Sequence, residues 1–370
     1  MGQEPSNTRA GLLIVGLWLG GAWGCGRLPI HGTFRAQAKV DADARVLADA
    51  SVRGSVEVKL PINPDPGPMR AVVVRPAHLG PAWSRVGMID VDGLLLNQNL
   101  TGLYSVGENP VASFREKLEA AATDPNVRAL VVRINSPGGG VTACDVMADE
   151  LRRFRAESGK PVVACLMDVA TAGAYYLAVG ADRVVALPTG VTGSIGALLN
   201  HYNLQDAMAQ LNLTADPVKA GPLVDMGRVT APLDEETRRL LQELVDGFRD
   251  RFRDRVAERR PGMSPEDRAQ VEDGRVVSAP KALSLHMIDR VGYVHEAIAE
   301  AERLAGSGDS EVVLFQRAGY PAHSIYAITP NTPIQGEIVP FSYPGLDRSK
   351  APTFLYLWQP DPTVSRQAGR

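Results

Sequence analysis

Beyond Arg85 the chain alternates between short apolar runs and amphipathic stretches. VGMIDVDGLLL, RALVVRIN, PVVACLMD and DRVVALP read as buried strands, rich in β-branched residues and bounded by Gly, Pro or Asp. Between them, NPVASFREKLEAAATDPNV and ACDVMADELRRFRAESG carry apolar residues at helical spacing. The first opens on Asn-Pro and the second stops at Gly159. Strands alternating with helices predict an α/β fold with a largely parallel sheet, and sites in such folds form beyond the carboxyl ends of the strands. Two glycine-containing junctions, SPGGG and ATAGA, fall at such ends. A long amphipathic helix is predicted over Leu233–Arg260, with Leu240, Leu241, Leu244, Val245, Phe248 and Phe252 at helical spacing. Its many arginines interleave with Asp and Glu, which predicts a solvated, salt-bridged face or a subunit contact rather than an anion site.

The pattern divides the chain into four parts. Residues 1–25 hold an uncharged apolar run, AGLLIVGLWLGGAW, that ends at Gly24-Cys25. The run is short for a membrane span and suits a signal peptide. Its end is similar to a bacterial lipoprotein signal, with Cys25 as the lipidation candidate; an uncleaved anchor is the alternative. Residues 26–84 read as a small β segment followed by the Pro-rich linker PINPDPGP and one further strand, AVVVRP. Residues 85–305 form the regular domain, and residues 306–370 an irregular C-terminal extension with scattered aromatics (IVPFSYPGL, TFLYLWQP). The expected location is the cell envelope, with a membrane tether at the N-terminus.

Composition narrows the chemistry. Of the 370 residues, 45% are hydrophobic and 22% charged, enough for an ordinary core. A net charge of −3 with both signs interspersed gives no footprint for nucleic acid. Cys25, Cys144 and Cys165 have no CxxC spacing, and the six histidines make no HExxH pattern, so neither a metal nor a cofactor is expected.

Five segments in order resemble the signal peptide peptidase A (protease IV) family of bacterial serine proteases. They are MIDVDGLL, VVRINSPGGG, ATAGAYYLAVGADRVVALPTGVTGSIGALL, VKAGPLVDMGR and GRVVSAPKALSLHMIDRVGYVHEAI. The resemblance implies the αβ superhelix of Clp protease and crotonase. It also implies peptide hydrolysis by membrane-attached oligomers through a serine–lysine dyad. A lysine of lowered pKa would deprotonate the serine, and backbone N–H groups would meet the oxyanion. Gly138, Gly139 and Gly173 are the expected donors, although the same glycines equally suit a tight strand-to-helix turn.

Aligning the family's tyrosine pair on Tyr175 and Tyr176 puts Ala172 at the nucleophile position. Lys219, Gly221 and Asp225 fix a second register, which puts Val224 at the base position. Neither side chain can attack or take a proton. Losing a dyad member costs on the order of 10⁶-fold in turnover, and an oxyanion hole alone leaves about 10³–10⁴ over water. A catalytically inactive peptide-binding or scaffold protein is therefore the leading expectation. Its expected partners are peptides or signal-peptide remnants, further copies of the chain, and an active paralogue in a hetero-oligomer. The alternative is an active peptidase using another hydroxyl, with Ser136, Thr171 and Ser194 as cleft-lining candidates, or one completed by a partner subunit. An acyl-CoA enzyme of the crotonase type ranks last; it would call on Asp168, which more simply caps the helix after it.

Overall fold

The computed structural model describes residues 67–77, 84–98, 100–102, 105–317, 325 and 354–358, all within one compact unit from Ile62 to Arg370. The expected signal with Cys25, and the β segment before residue 67, lie outside the described residues.

In chain order the elements begin β1 (Met69–Arg75), β2 (Arg85–Asp92), β3 (Leu100–Gly102), β4 (Ser105–Glu108), α1 (Pro110–Thr123), β5 (Val127–Ser136) and β6 (Gly138–Gly140). Next come α2 (Val141–Ser158), β7 (Val162–Thr171), α3 (Gly173–Ala178), β8 (Arg183–Ala186), β9 (Val191–Gly193) and α4 (Gln205–Gln210). The remainder is α5 (Glu235–Arg259), α6 (Pro265–Ala269), β10 (Val276–Ser278), α7 (Ala279–Ser284), β11 (Arg290–Val291), α8 (Val294–Ala305), β12 (Glu311–Arg317) and β13 (Leu355–Leu357).

The α/β fold is as expected. One nine-stranded sheet runs β1-β12-β2-β5-β7-β8-β11, and β9 pairs with both β7 and β10. The pairings from β12 through β2, β5, β7 and β8 to β11 are parallel, while β1 joins β12 antiparallel. Period-two alternation sorts each strand onto two faces. Ile89, Leu130, Val132, Val162 and Ala164 join the core that also holds α1, α2 and α3. Val86, Met88, Ala129, Val131, Val163 and Cys165 face α8, which answers with Val294, Ala297, Ile298 and Ala301 at i, i+3, i+4 and i+7.

Local signals set the helix ends. Asn109 Oδ1 accepts the Val111 and Ala112 N–H groups at the start of α1, with Pro110 in the first turn. Asp234 accepts the Thr237 N–H at 2.7 Å to open α5, and Gly159 closes α2 in the left-handed conformation.

The sheet reaches past both expected bounds of the regular domain. AVVVR is β1, an edge strand of the main sheet rather than part of a separate segment. Residues 311–317 are β12, inserted between β1 and β2, so they are not irregular; five of the seven are buried. Residues 355–357 pair with β6.

Candidate functional site

The two junctions singled out in the sequence meet beyond the ends of β5 and β7. Ala172 links β7 to α3 with φ 51 and ψ −119, a conformation that costs a non-glycine residue about 1–3 kcal/mol. The surroundings enforce it. The Ala172 N–H donates to the Gly193 carbonyl at 2.7 Å, its carbonyl accepts the Tyr176 N–H at 2.9 Å, and the residue is fully buried. Tyr175 donates its hydroxyl to the Met287 carbonyl at 2.9 Å and Tyr176 to Asp145 at 2.6 Å, fixing α3 by both tyrosines.

The helix α3 has six residues, too few to persist alone. Here α5 does what its sequence did not announce. Arg255 Nε donates to the Tyr176 carbonyl and its guanidinium lies 4.7 Å from the Tyr176 ring centre. Arg259 donates to the carbonyls of Val179, Gly180 and Ala181. The expected solvated, salt-bridged face is present in pairs such as Arg239–Glu243 and Arg249–Asp246. Arg255 and Arg259, one turn apart, instead face inward and satisfy the open carbonyl end of α3. Burial lowers the Arg259 pKa.

Across from Ala172 lies the glycine strand. Gly138 has φ 103, and a Cβ there would lie 2.0 Å from the Tyr356 carbonyl oxygen and 2.8 Å from the Gly173 nitrogen. On Gly139 a Cβ would fall 2.0 Å from the Leu95 carbonyl oxygen, and on Gly173 2.2 Å from Cys144 Sγ. The glycines are thus required by close approach on several sides, and Gly138 and Gly173 are neighbours. Of the expected donors, Gly138 is already engaged: its N–H donates to Ser136 Oγ at 3.0 Å. Ser136, the last residue of β5, is fully buried.

Leu355–Leu357 lies along the open edge of β6, antiparallel, in the register Leu355↔Gly140, Tyr356↔Gly139, Leu357↔Gly138. Val141 N–H donates to Phe354 O at 3.1 Å and Trp358 N–H to Pro137 O at 3.0 Å, so ladder alternation puts the Gly139 N–H opposite the Tyr356 carbonyl. On its other edge Leu355 exchanges two 3.0 Å hydrogen bonds with Leu198. The Tyr356 ring is fully buried, 5.3 Å from Tyr176 and 5.1 Å from Phe252, and its hydroxyl donates to the Phe248 carbonyl. The motif TFLYLWQP gave no sign of this, because three residues carry too little periodicity to mark a strand.

The remaining candidates scatter. Thr171 is fully buried at the end of β7, and its hydroxyl has no hydrogen-bond partner among the described residues. Ser194 sits at φ 56, its N–H on the Arg275 carbonyl at 2.7 Å. Asp168 does not cap α3: it is exposed on β7, and α3 begins at Gly173 with no side-chain cap. Val224, by contrast with Ala172, is 71% exposed in a run of turns. Its neighbour Lys219 bonds Asp225 at 2.7 Å, which holds the Asp225 carboxyl below its usual pKa. The nearby His201 meets the Arg228 carbonyl at 3.1 Å.

A strand-to-helix elbow packed against a glycine strand thus lies beyond the carboxyl ends of β5 and β7, where sites of α/β folds form. Residues 155–307 match the family model described as peptidase family S49. Protease 4 of Salmonella typhi is 33% identical over 220 residues, which are 60% of this chain and 34% of that protein. Serine protease SPPA, chloroplastic, of Arabidopsis thaliana is 31% identical over 211 residues, 57% of this chain and 31% of that protein. The chain therefore carries a peptidase S49 domain of the signal peptide peptidase A type, and it spans about a third of the length of these two relatives. Among solved structures, a mutant of 1510-N, a membrane-bound stomatin-specific protease, in complex with a substrate peptide aligns at TM-score 0.41 and 13% identity, over 64% of this chain and 94% of that one.

Proposed function

We propose that this chain is a non-catalytic member of its family, a peptide-binding or scaffold protein at the cell envelope. The observation that carries the reading is the methyl side chain of Ala172 at the buried elbow, in a backbone conformation that suits a nucleophile and is held at a cost in strain. Val224 supports it: a side chain 71% exposed is in no position to act as a desolvated base. Peptide binding is supported by β6, whose edge accepts an extended segment through main-chain hydrogen bonds. Gly139 and Gly173 remain as donors toward a bound carbonyl, in the role first assigned to all three glycines.

Assembly is part of the proposal. Leu211, Leu213, Val218, Leu223 and Val224 are exposed apolar residues close together in sequence, as expected of a surface that meets another copy or an active paralogue. The tether through residues 1–25, with Cys25 lipidated, belongs to the same reading. Among the described residues no helix is long and apolar enough to cross a membrane.

The alternative, a peptidase with a substitute hydroxyl, would rest on Thr171 or Ser194; Thr171 is wholly enclosed, which argues against its reaching a peptide. A serine-directed fluorophosphonate probe decides between the two. The purified protein is expected to remain unlabelled. Labelling of the unmodified chain that disappears in Thr171→Ala or Ser194→Ala would overturn the proposal.

A further inference from the structure

The segment on β6 has the features of a ligand as well as those of a strand. Both of its edges are hydrogen-bonded, to the glycine strand on one side and to Leu198 on the other. Its central carbonyl, that of Tyr356, lies against Gly138, Gly139 and Gly173, the last two of which are the donors proposed for a bound carbonyl. The side chains follow strand alternation. Tyr356 points inward and is fully buried, while Leu355 and Leu357 on either side are only half-buried. The inward pocket is aromatic, formed by Tyr176 and Phe252, with a polar floor at the Phe248 carbonyl that accepts the tyrosine hydroxyl.

We propose that residues 354–358 are a built-in occupant of the peptide cleft. The cleft selects, among other peptides, extended uncharged segments with a tyrosine in the position of Tyr356. The inference rests on the peptide-binding reading above and adds its occupant and its specificity. Main-chain pairing supplies affinity that any extended segment could use. Discrimination comes from the aromatic pocket, where a smaller side chain leaves a cavity and an acidic one is buried unpaired. The intact chain should then bind added peptide weakly, because its own strand competes as an intramolecular ligand at high effective concentration.

The test compares the full chain with two variants that weaken the occupant by different means. Tyr356→Ala empties the pocket. Leu355→Pro keeps the ring but removes the N–H that meets Leu198. Each is titrated with a fluorescent peptide of sequence TFLYLWQP and with the same peptide carrying Ala for Tyr, while hydrogen exchange is followed over residues 138–141. Both variants should exchange faster there and bind the tyrosine peptide about tenfold or more tightly than the intact chain does. The alanine peptide should bind the variants about tenfold or more weakly than the tyrosine peptide. Equal affinity for the two peptides, or unchanged exchange in both variants, would overturn the inference and leave peptide binding standing. Faster exchange with no binding of either peptide would overturn the peptide-binding reading together with it.

Discussion

The two positions that the family resemblance aligns with a dyad, Ala172 and Val224, sit in opposite surroundings. Ala172 is fully buried, hydrogen-bonded to Gly193 and Tyr176, next to Gly173, on which the Tyr356 carbonyl closes. Val224 belongs to a stretch, residues 199–234, in which most residues are exposed and the one short helix, α4, has no buried residue. Neither alanine nor valine carries a reactive group, and only the first of the two is held in packed surroundings. The elbow doubles as core: a Cβ added to Gly138 or Gly139 would collide with neighbouring backbone, and one added to Gly173 with Cys144 Sγ. At the second place no packing constrains the residue within the single chain.

That contrast can be broken by mutation, and the largest effect is expected at the glycine strand. Gly139→Val would push a Cβ to 2.0 Å from the Leu95 carbonyl oxygen, and no relaxed rotamer avoids a main-chain clash. The expected outcome is loss of the folded state, equivalent to about 4 kcal/mol or more, read as failure to show a cooperative urea transition. Next comes Phe252→Ala, which removes a fully buried ring beneath Tyr356 and should cost about 3 kcal/mol in urea denaturation. Val218→Asp and Val224→Asp, both on exposed residues, should each fall within about 0.5 kcal/mol of the parent in the same assay. A large loss at Val224 in a monomeric sample would erase the distinction between the two regions.

A further effect sharpens the description of the core by pH. Burial pushes the Cys165 thiol up to about 12 from an ordinary value near 9. The unfolded chain therefore releases this proton at lower pH than the folded one, and stability should decline as pH rises from about 9 toward 12. The urea midpoint at pH 10 should drop below that at pH 8, and Cys165→Ala should reduce the drop. At pH 8 neither Cys165 nor Cys144 should react with a thiol reagent until the protein unfolds, since both are fully buried and protonated.

Much of this was legible in the sequence. Apolar runs separated by Asn-Pro and Gly159 marked the central strands and helices, and the SPGGG and ATAGA junctions do meet. What stayed hidden depended on long-range pairing. β1 and β12 come from opposite sides of the regular domain and recognise one another only through sheet register. The stop at residue 305 reflected Gly306 and Gly308, which end α8 and turn the chain; they do not end the domain. Arg255 and Arg259 share their i+4 spacing with charges that face solvent, so spacing alone could not tell an inward arginine from an outward one. The environment of Val224 was equally silent, because a register match says which residue occupies a position and nothing about what surrounds it.

The pairing of Tyr356 with Gly139 also bears on how the molecule comes into being. The glycine strand and its neighbour stand toward opposite ends of the described chain. During synthesis β5, β6 and α2 emerge first and can pack locally, while the strand that covers them appears only after β12. Until then β6 has an unpaired edge, and a passing extended polypeptide would meet it before the chain's own strand does. The order of emergence, and not only the final energy, thus sets when this surface is open.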